Sequence, residues 1–80
     1  MELNLKRLKA ERIASGITQD EMAHLMGWNS RTPYAKREAG IVGVGANELI
    51  RMAEILGYDI NELSIFFTNN VPKKEQELET

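Results

Sequence analysis

Apolar residues recur along the chain at helical spacing, in short segments that glycines separate. The clearest segment runs from Leu49 to Leu56, where Met52 and Ala53 complete a stripe spaced i, i+3, i+4 and i+7. No segment shows the strict alternation of a strand. The sequence therefore predicts an all-α fold of five short helices. Their expected ranges are 2–14, 18–26, 32–39, 46–56 and 60–67.

The second helix has the best-defined start. Thr18 suits the N-cap position, and Glu21 stands three residues later, at the spacing of a capping box. Ile17 and Met22 take the two positions of a hydrophobic staple around that cap. Gly27 then ends the helix, so local signals define both of its ends.

The start of the third helix is less well defined, because Asn29, Ser30 and Thr32 could each cap it. Pro33 disfavours helical dihedrals at the residue before it and suits the first helical position. These preferences favour Thr32 as the cap, with Ser30 as the alternative.

The fifth helix is expected to be capped by Asp59 or Asn61 and to turn Ile60, Leu63 and Phe67 inward. Ile65 and Phe66 add more apolar surface than one short helix can bury on one face. Contact between two copies through this helix would cover the remainder. The alternative is that the C-terminal segment folds back over it.

Composition limits the possible classes. A chain of 80 residues without cysteine builds one core and has no disulfide or thiolate metal site. No apolar run is long enough to span a membrane and no signal-peptide pattern is present, so we expect a cytoplasmic protein. The net charge of −2 is unusual for a DNA-binding domain, but the basic residues cluster near the chain start and in the third helix. We expect one domain over 1–68 and a flexible acidic tail over 69–80.

Several short motifs occur in a recognisable order. They include GITQ at 16–19, MA at 22–23, EAG at 38–40 and NEL at 61–63. In this order and spacing they resemble the phage-repressor (Cro/CI-like, XRE) family of helix-turn-helix domains, over roughly residues 5–67. The resemblance implies a lambda-repressor-like fold that binds double-stranded DNA as a homodimer and inserts its third helix into the major groove.

The resemblance and the chemistry of the side chains together suggest roles for individual residues. Base contacts are expected from Arg31, Thr32, Ala35 and Lys36. Gln19, Asn29, Ser30, Arg37 and Arg12 are expected to contact the DNA backbone or support the third helix. Arg12 and Glu38 are expected to form a structural pair, and Ile65 and Phe66 a dimer patch.

The sequence departs from the family pattern at three points. The segment from Gly27 to Glu38 is one residue longer than usual. Pro33 stands where small polar residues are more common, and Arg37 stands at a position that is normally apolar. The longer segment and Pro33 both affect the register of residues 29–33.

The sequence favours a DNA-binding transcriptional regulator, of the repressor type found in prophages or mobile elements. The alternative is a protein-interaction module of the same fold, such as an antitoxin or an adaptor. One histidine, no cysteine and no phosphate-binding glycine loop argue against an enzyme. We expect no cofactor, no metal and no small-molecule ligand.

Overall fold

Four α-helices and one 3-10 helix make up most of the computed structural model, which describes residues 2–68. The α-helices are α1 (Leu5–Ala14), α2 (Gln19–Leu25), α3 (Thr32–Glu38) and α4 (Ala46–Ile55). The 3-10 helix spans Ile60–Phe66. The predicted tail, 69–80, lies outside the described residues. No helix within residues 2–68 is long and apolar enough to cross a membrane.

The ends of the helices follow the local sequence signals at most points. Thr18 caps α2, and its hydroxyl accepts from the Glu21 N–H at 3.0 Å while Glu21 accepts from the Thr18 N–H at 2.9 Å. Asp59 caps the 3-10 helix: its carboxylate accepts from the Asn61 N–H at 2.9 Å, and Glu62 accepts from the Asp59 N–H at 3.0 Å. The predicted capping box of α2 is therefore confirmed.

The predicted start of α3 was wrong. Thr32 is already the first helical residue, and Arg31 takes the N-cap position with helical dihedrals of −68° and −30°. Neither Thr32 nor Ser30 caps the helix, and its start has no side-chain cap at all. Pro33 is tolerated here because the N–H groups in the first turn of a helix have no acceptor within the helix, so the N–H that proline lacks costs no hydrogen bond.

A two-stranded antiparallel sheet, which the sequence did not predict, joins the ends of the domain. Strand β1 (Glu2–Leu3) pairs with β2 (Phe67–Thr68), with Leu3 opposite Phe67. Asn4 separates β1 from α1, because its side chain accepts from the Arg7 N–H at 3.1 Å and caps that helix. The helix predicted from residue 2 therefore begins at Leu5. Two residues per strand are too few to produce a readable alternation.

The core forms where α1, α2, α3, α4 and the 3-10 helix meet. Phe66 belongs to it with no exposed surface, and its ring meets that of Tyr58 edge to face at 5.6 Å. A 3-10 helix has three residues per turn, so Leu63 and Phe66 share a face and Phe66 takes the inward place expected for Phe67. The fully or almost fully buried apolar residues are Leu8, Met22, Ala23, Tyr34, Leu49, Met52, Ala53 and Phe66.

This packing contradicts the prediction that Ile65 and Phe66 form an exposed dimer patch. Phe66 is enclosed by its own chain, and Ile65 is half-buried against the core. Ile60, expected to point inward, is instead 61% exposed at the start of the 3-10 helix.

Candidate nucleic-acid interface

The carboxylate of Glu38, the last residue of α3, is the centre of a buried polar network. Arg12 of α1 donates to it from Nε at 2.8 Å and from Nη2 at 3.1 Å. Gln19 of α2 donates from Nε2 at 3.0 Å, and the Tyr34 hydroxyl donates at 2.6 Å. The remaining Arg12 nitrogen, Nη1, donates to the Ile17 carbonyl at 2.7 Å. The predicted pair Arg12–Glu38 is thus part of a larger junction that fixes α3 against α1 and α2.

The electrostatics of this network favour the ionised pair. Burial raises the pKa of Glu38, but hydrogen bonds from Arg12, Tyr34 and Gln19 and the charge of Arg12 lower it by more, so its pKa lies below the usual range. The bond to Glu38 raises the pKa of Arg12. Desolvation and the neighbouring carboxylate raise the pKa of Tyr34, which keeps its hydroxyl protonated as a donor.

Acid is expected to weaken the domain through Glu38. Because its pKa is lower in the folded chain than in the unfolded chain, the unfolded chain takes up this proton first as the pH falls. The contribution of Glu38 to stability is complete above the unfolded carboxyl pKa of about 4.3. It is lost as the pH falls through the lower, folded value. Urea unfolding measured from about pH 7 to about pH 2.5 follows this loss.

A matched pair of variants identifies the source of that pH dependence. Glu38→Gln should show a shallower loss of unfolding free energy below pH about 4.3 than the wild type. Glu54→Gln serves as the control, because the Glu54 side chain is 57% exposed and meets Arg51 only at 4.0 Å. If Glu38→Gln keeps the wild-type slope, Glu38 is not the titrating group.

The candidate base-contacting residues lie on the outer side of the same helix. Arg31, Thr32 and Lys36 are exposed, and Ala35 is half-buried between them and the core. The insertion in the turn therefore leaves Thr32 and Lys36 on α3 and places Arg31 directly at its start. Of the turn residues expected at the backbone, Asn29 and Ser30 are also exposed.

An open polar cleft of about 540 Å³ lies beside α3. It is formed by α1, the start of α2 and the turn before α3. Arg31 and Gln19 both line it, so the structure brings together a candidate base contact and a candidate backbone contact. Lys9 of α1 also lines it. The other lining residues are Arg12, Thr18 and Asp20.

Two arginines expected to contact the DNA backbone or support the third helix form hydrogen bonds within the domain. Arg12 is only 8% exposed, and its three guanidinium nitrogens bond to Glu38 and the Ile17 carbonyl. Arg37 directs all three of its nitrogens to Glu48 of α4 and the Pro33 carbonyl. These bonds join both guanidinium groups to neighbouring parts of the domain, so the structure shows a supporting role for Arg12 and Arg37, which is one of the two roles expected for them. Gln19 supports Glu38 as well as lining the cleft.

Metal chemistry has no candidate site in the part of the chain that the structure describes. Residues 2–68 contain no group of three or more His, Cys, Asp or Glu side chains placed to hold a metal ion. The candidate surface is the outer face of the helix-turn-helix, where Arg31 and Lys36 are exposed.

Comparison with known proteins agrees with this geometry. A family model described as helix-turn-helix matches residues 8–63, which is more than half of the chain. The chain belongs to that family, the helix-turn-helix domains of the XRE class, as the sequence predicts. No curated protein sequence matches the chain.

A solved structure of a transcriptional regulator shares the fold. The crystal structure of the transcriptional regulator BswR superimposes with a TM-score of 0.68 at 19% sequence identity. The superposition covers 96% of this chain and 89% of the BswR chain. At that identity the likeness shows a common fold, and the predicted five-helix architecture is confirmed.

Proposed function

We propose that the protein is a sequence-specific DNA-binding transcriptional regulator, of the repressor type found in prophages or mobile elements. In this proposal α3 enters the major groove, and Arg31, Thr32 and Lys36 contact base edges, with Ala35 against a thymine methyl group. Gln19, Asn29 and Ser30 contact the backbone. Repression follows when the bound protein blocks access to a promoter, and this role requires the cytoplasmic location that the sequence predicts.

The observation that most supports the proposal is the division of α3 into two sides. Its inner side ends in Glu38, which three donor residues from α1, α2 and α3 hold in place. Its outer side carries Arg31, Thr32 and Lys36 without burial. Base readout requires exposed hydrogen-bond donors on a helix that is held in a fixed orientation. Contacts to base edges determine the DNA sequence that is recognised, whereas phosphate contacts only position the protein.

We also propose that the protein dimerises, through a contact other than the predicted patch of Ile65 and Phe66. A dimer that binds two half-sites in successive major grooves must place its two α3 helices about 34–36 Å apart, one DNA turn. Phe66 is buried in its own chain, so the contact through the 3-10 helix would use its exposed end at Ile60.

Selection of bound sites from random duplex DNA tests the proposal. We expect a recurring half-site in inverted repeats whose centres lie about one turn apart. Affinity for the selected site should fall with salt, with a log–log slope of about −0.9 for each phosphate contacted. If no duplex is retained even at low salt, the proposal is wrong.

The net charge of −2 favours a second candidate, a protein-interaction module such as an antitoxin or adaptor. An acidic molecule binds polyanions less readily than a basic one, whereas it binds a basic protein surface well. The same experiment separates the two functions, because a module of this kind would enrich no DNA sequence.

A further inference from the structure

The Arg37 side chain contacts three residues: Trp28, Glu48 and Pro33. Its guanidinium carbon is 4.5 Å from the centre of the Trp28 ring, in the turn before α3. Its Nε and Nη2 donate to the two carboxylate oxygens of Glu48 at 2.9 and 3.1 Å. Its Nη1 donates to the Pro33 carbonyl at 2.9 Å. We call Arg37, Trp28 and Glu48 the Arg37 clamp.

The Arg37 clamp adds a direct polar connection between α3 and α4. Within residues 2–68, α3 packs chiefly against α2 and α1. Glu48 is at the third position of α4 and also accepts the Gly45 N–H at 3.0 Å, which fixes its carboxylate at the start of that helix. The pair is partly shielded from solvent, with the Arg37 side chain 18% exposed and that of Glu48 30%. A planar two-bond pair is the most directional ion-pair geometry.

Side-chain contacts on two different sides of α3 restrict its rotation about its own axis. Arg37 and Glu38 are adjacent, so their side chains leave α3 about 100° apart. Glu38 is held by α1 and α2, and Arg37 by α4 and the turn. Lys36 precedes both residues, so the angle at which it meets a base depends on this rotation. The helix has only seven residues and no side-chain cap at its start.

We propose that the Arg37 clamp positions α3 for base recognition, so that Arg37 and Glu48 determine DNA specificity without touching DNA. This inference rests on the proposed function. The positively charged, forked guanidinium is needed because it stacks on Trp28 and pairs with both carboxylate oxygens at once, which an ammonium cannot do.

The test compares substitutions that preserve charge or shape. Arg37→Lys keeps the positive charge but loses the fork, and Glu48→Gln keeps an oxygen for the Gly45 N–H. Arg51→Lys is the matched control, because Arg51 lies on α4 with its side chain 58% exposed. Each variant is measured against the selected site and against a scrambled duplex of equal length, at a temperature where circular dichroism shows it folded.

We expect Arg37→Lys and Glu48→Gln each to lower the ratio of specific to non-specific affinity about tenfold, the loss of one modest base contact. Non-specific affinity and the salt slope should stay unchanged. The double variant should lose no more than the worse single variant, because both act through one contact. Trp28 is the only tryptophan, so its emission in the DNA-free protein should change in both variants and not in Arg51→Lys.

Three results would overturn the positioning role. One is an unchanged affinity ratio in Arg37→Lys despite a changed Trp28 emission. Another is an equal loss of affinity for both duplexes, which indicates an effect on stability alone. If Arg37→Ala, which removes the charge, also reduces the salt slope by about one, the equal loss indicates a phosphate contact. The third is a wild-type protein that binds no duplex, which contradicts the proposed function as well, whereas the first two leave that function intact.

Discussion

Replacing Glu38 by alanine is expected to lower the free energy of unfolding by about 3–5 kcal/mol, because it leaves a buried charge unpaired. The Arg12 guanidinium would keep one bond, to the Ile17 carbonyl. The Tyr34 hydroxyl and the Gln19 amide would also lose their acceptor in the interior. Small domains are stable by only about 5–15 kcal/mol, so this loss is a large share of the total. Urea unfolding followed by circular dichroism at pH about 7 measures it.

A double-mutant cycle separates the pair from its surroundings. Arg12→Ala and Glu38→Ala should each be strongly destabilising, whereas the double variant should lose much less than their sum, since the second change removes the charge left unpaired by the first. Glu54→Ala, at an exposed carboxylate, should change the unfolding free energy by less than about 0.5 kcal/mol. Additive losses from Arg12 and Glu38 would show that the two residues do not stabilise the domain as a pair.

The sequence predicts α2 and its surroundings well because every signal there is local. Thr18, Glu21 and Ile17 lie within five residues of one another, and Gly16 and Gly27 adopt the positive φ angles of 72° and 91° that end a helix. The long stripe of α4 is readable for the same reason. The Arg12–Glu38 pair spans 26 residues, and only the family resemblance suggested it.

The errors of prediction occur where a distant partner decides the local structure. Phe66 turns inward because its helix has the 3-10 period, which the sequence does not reveal. Leu3 forms a strand because Phe67 lies beside it, at the other end of the domain. The sequence also does not identify the partner of Arg37, because Glu48 lies on another helix. Such pairings become visible only once the helices are packed.

Replacing Lys36 by alanine is expected to relax base preference at a single position of the selected site, by about 1–3 kcal/mol of discrimination. Each 1.4 kcal/mol of that loss is about a tenfold change in relative affinity. Lys36 is exposed on α3 whichever residue begins the helix, so the insertion in the turn does not displace it. Its carbonyl accepts the N–H groups of Ile41 and Val42, and the substitution leaves these backbone bonds intact. The change should therefore affect DNA contact and not the fold.

The matched control for Lys36→Ala is Lys6→Ala, which removes the same charge from the exposed surface of α1. Site selection repeated with both variants should show a lost preference at one base pair for Lys36→Ala and an unchanged site for Lys6→Ala. If Lys36→Ala instead weakens binding equally to all sequences and reduces the salt slope by about one, Lys36 contacts phosphate. Base readout would then fall to Arg31 and Thr32, which are both exposed at the start of α3.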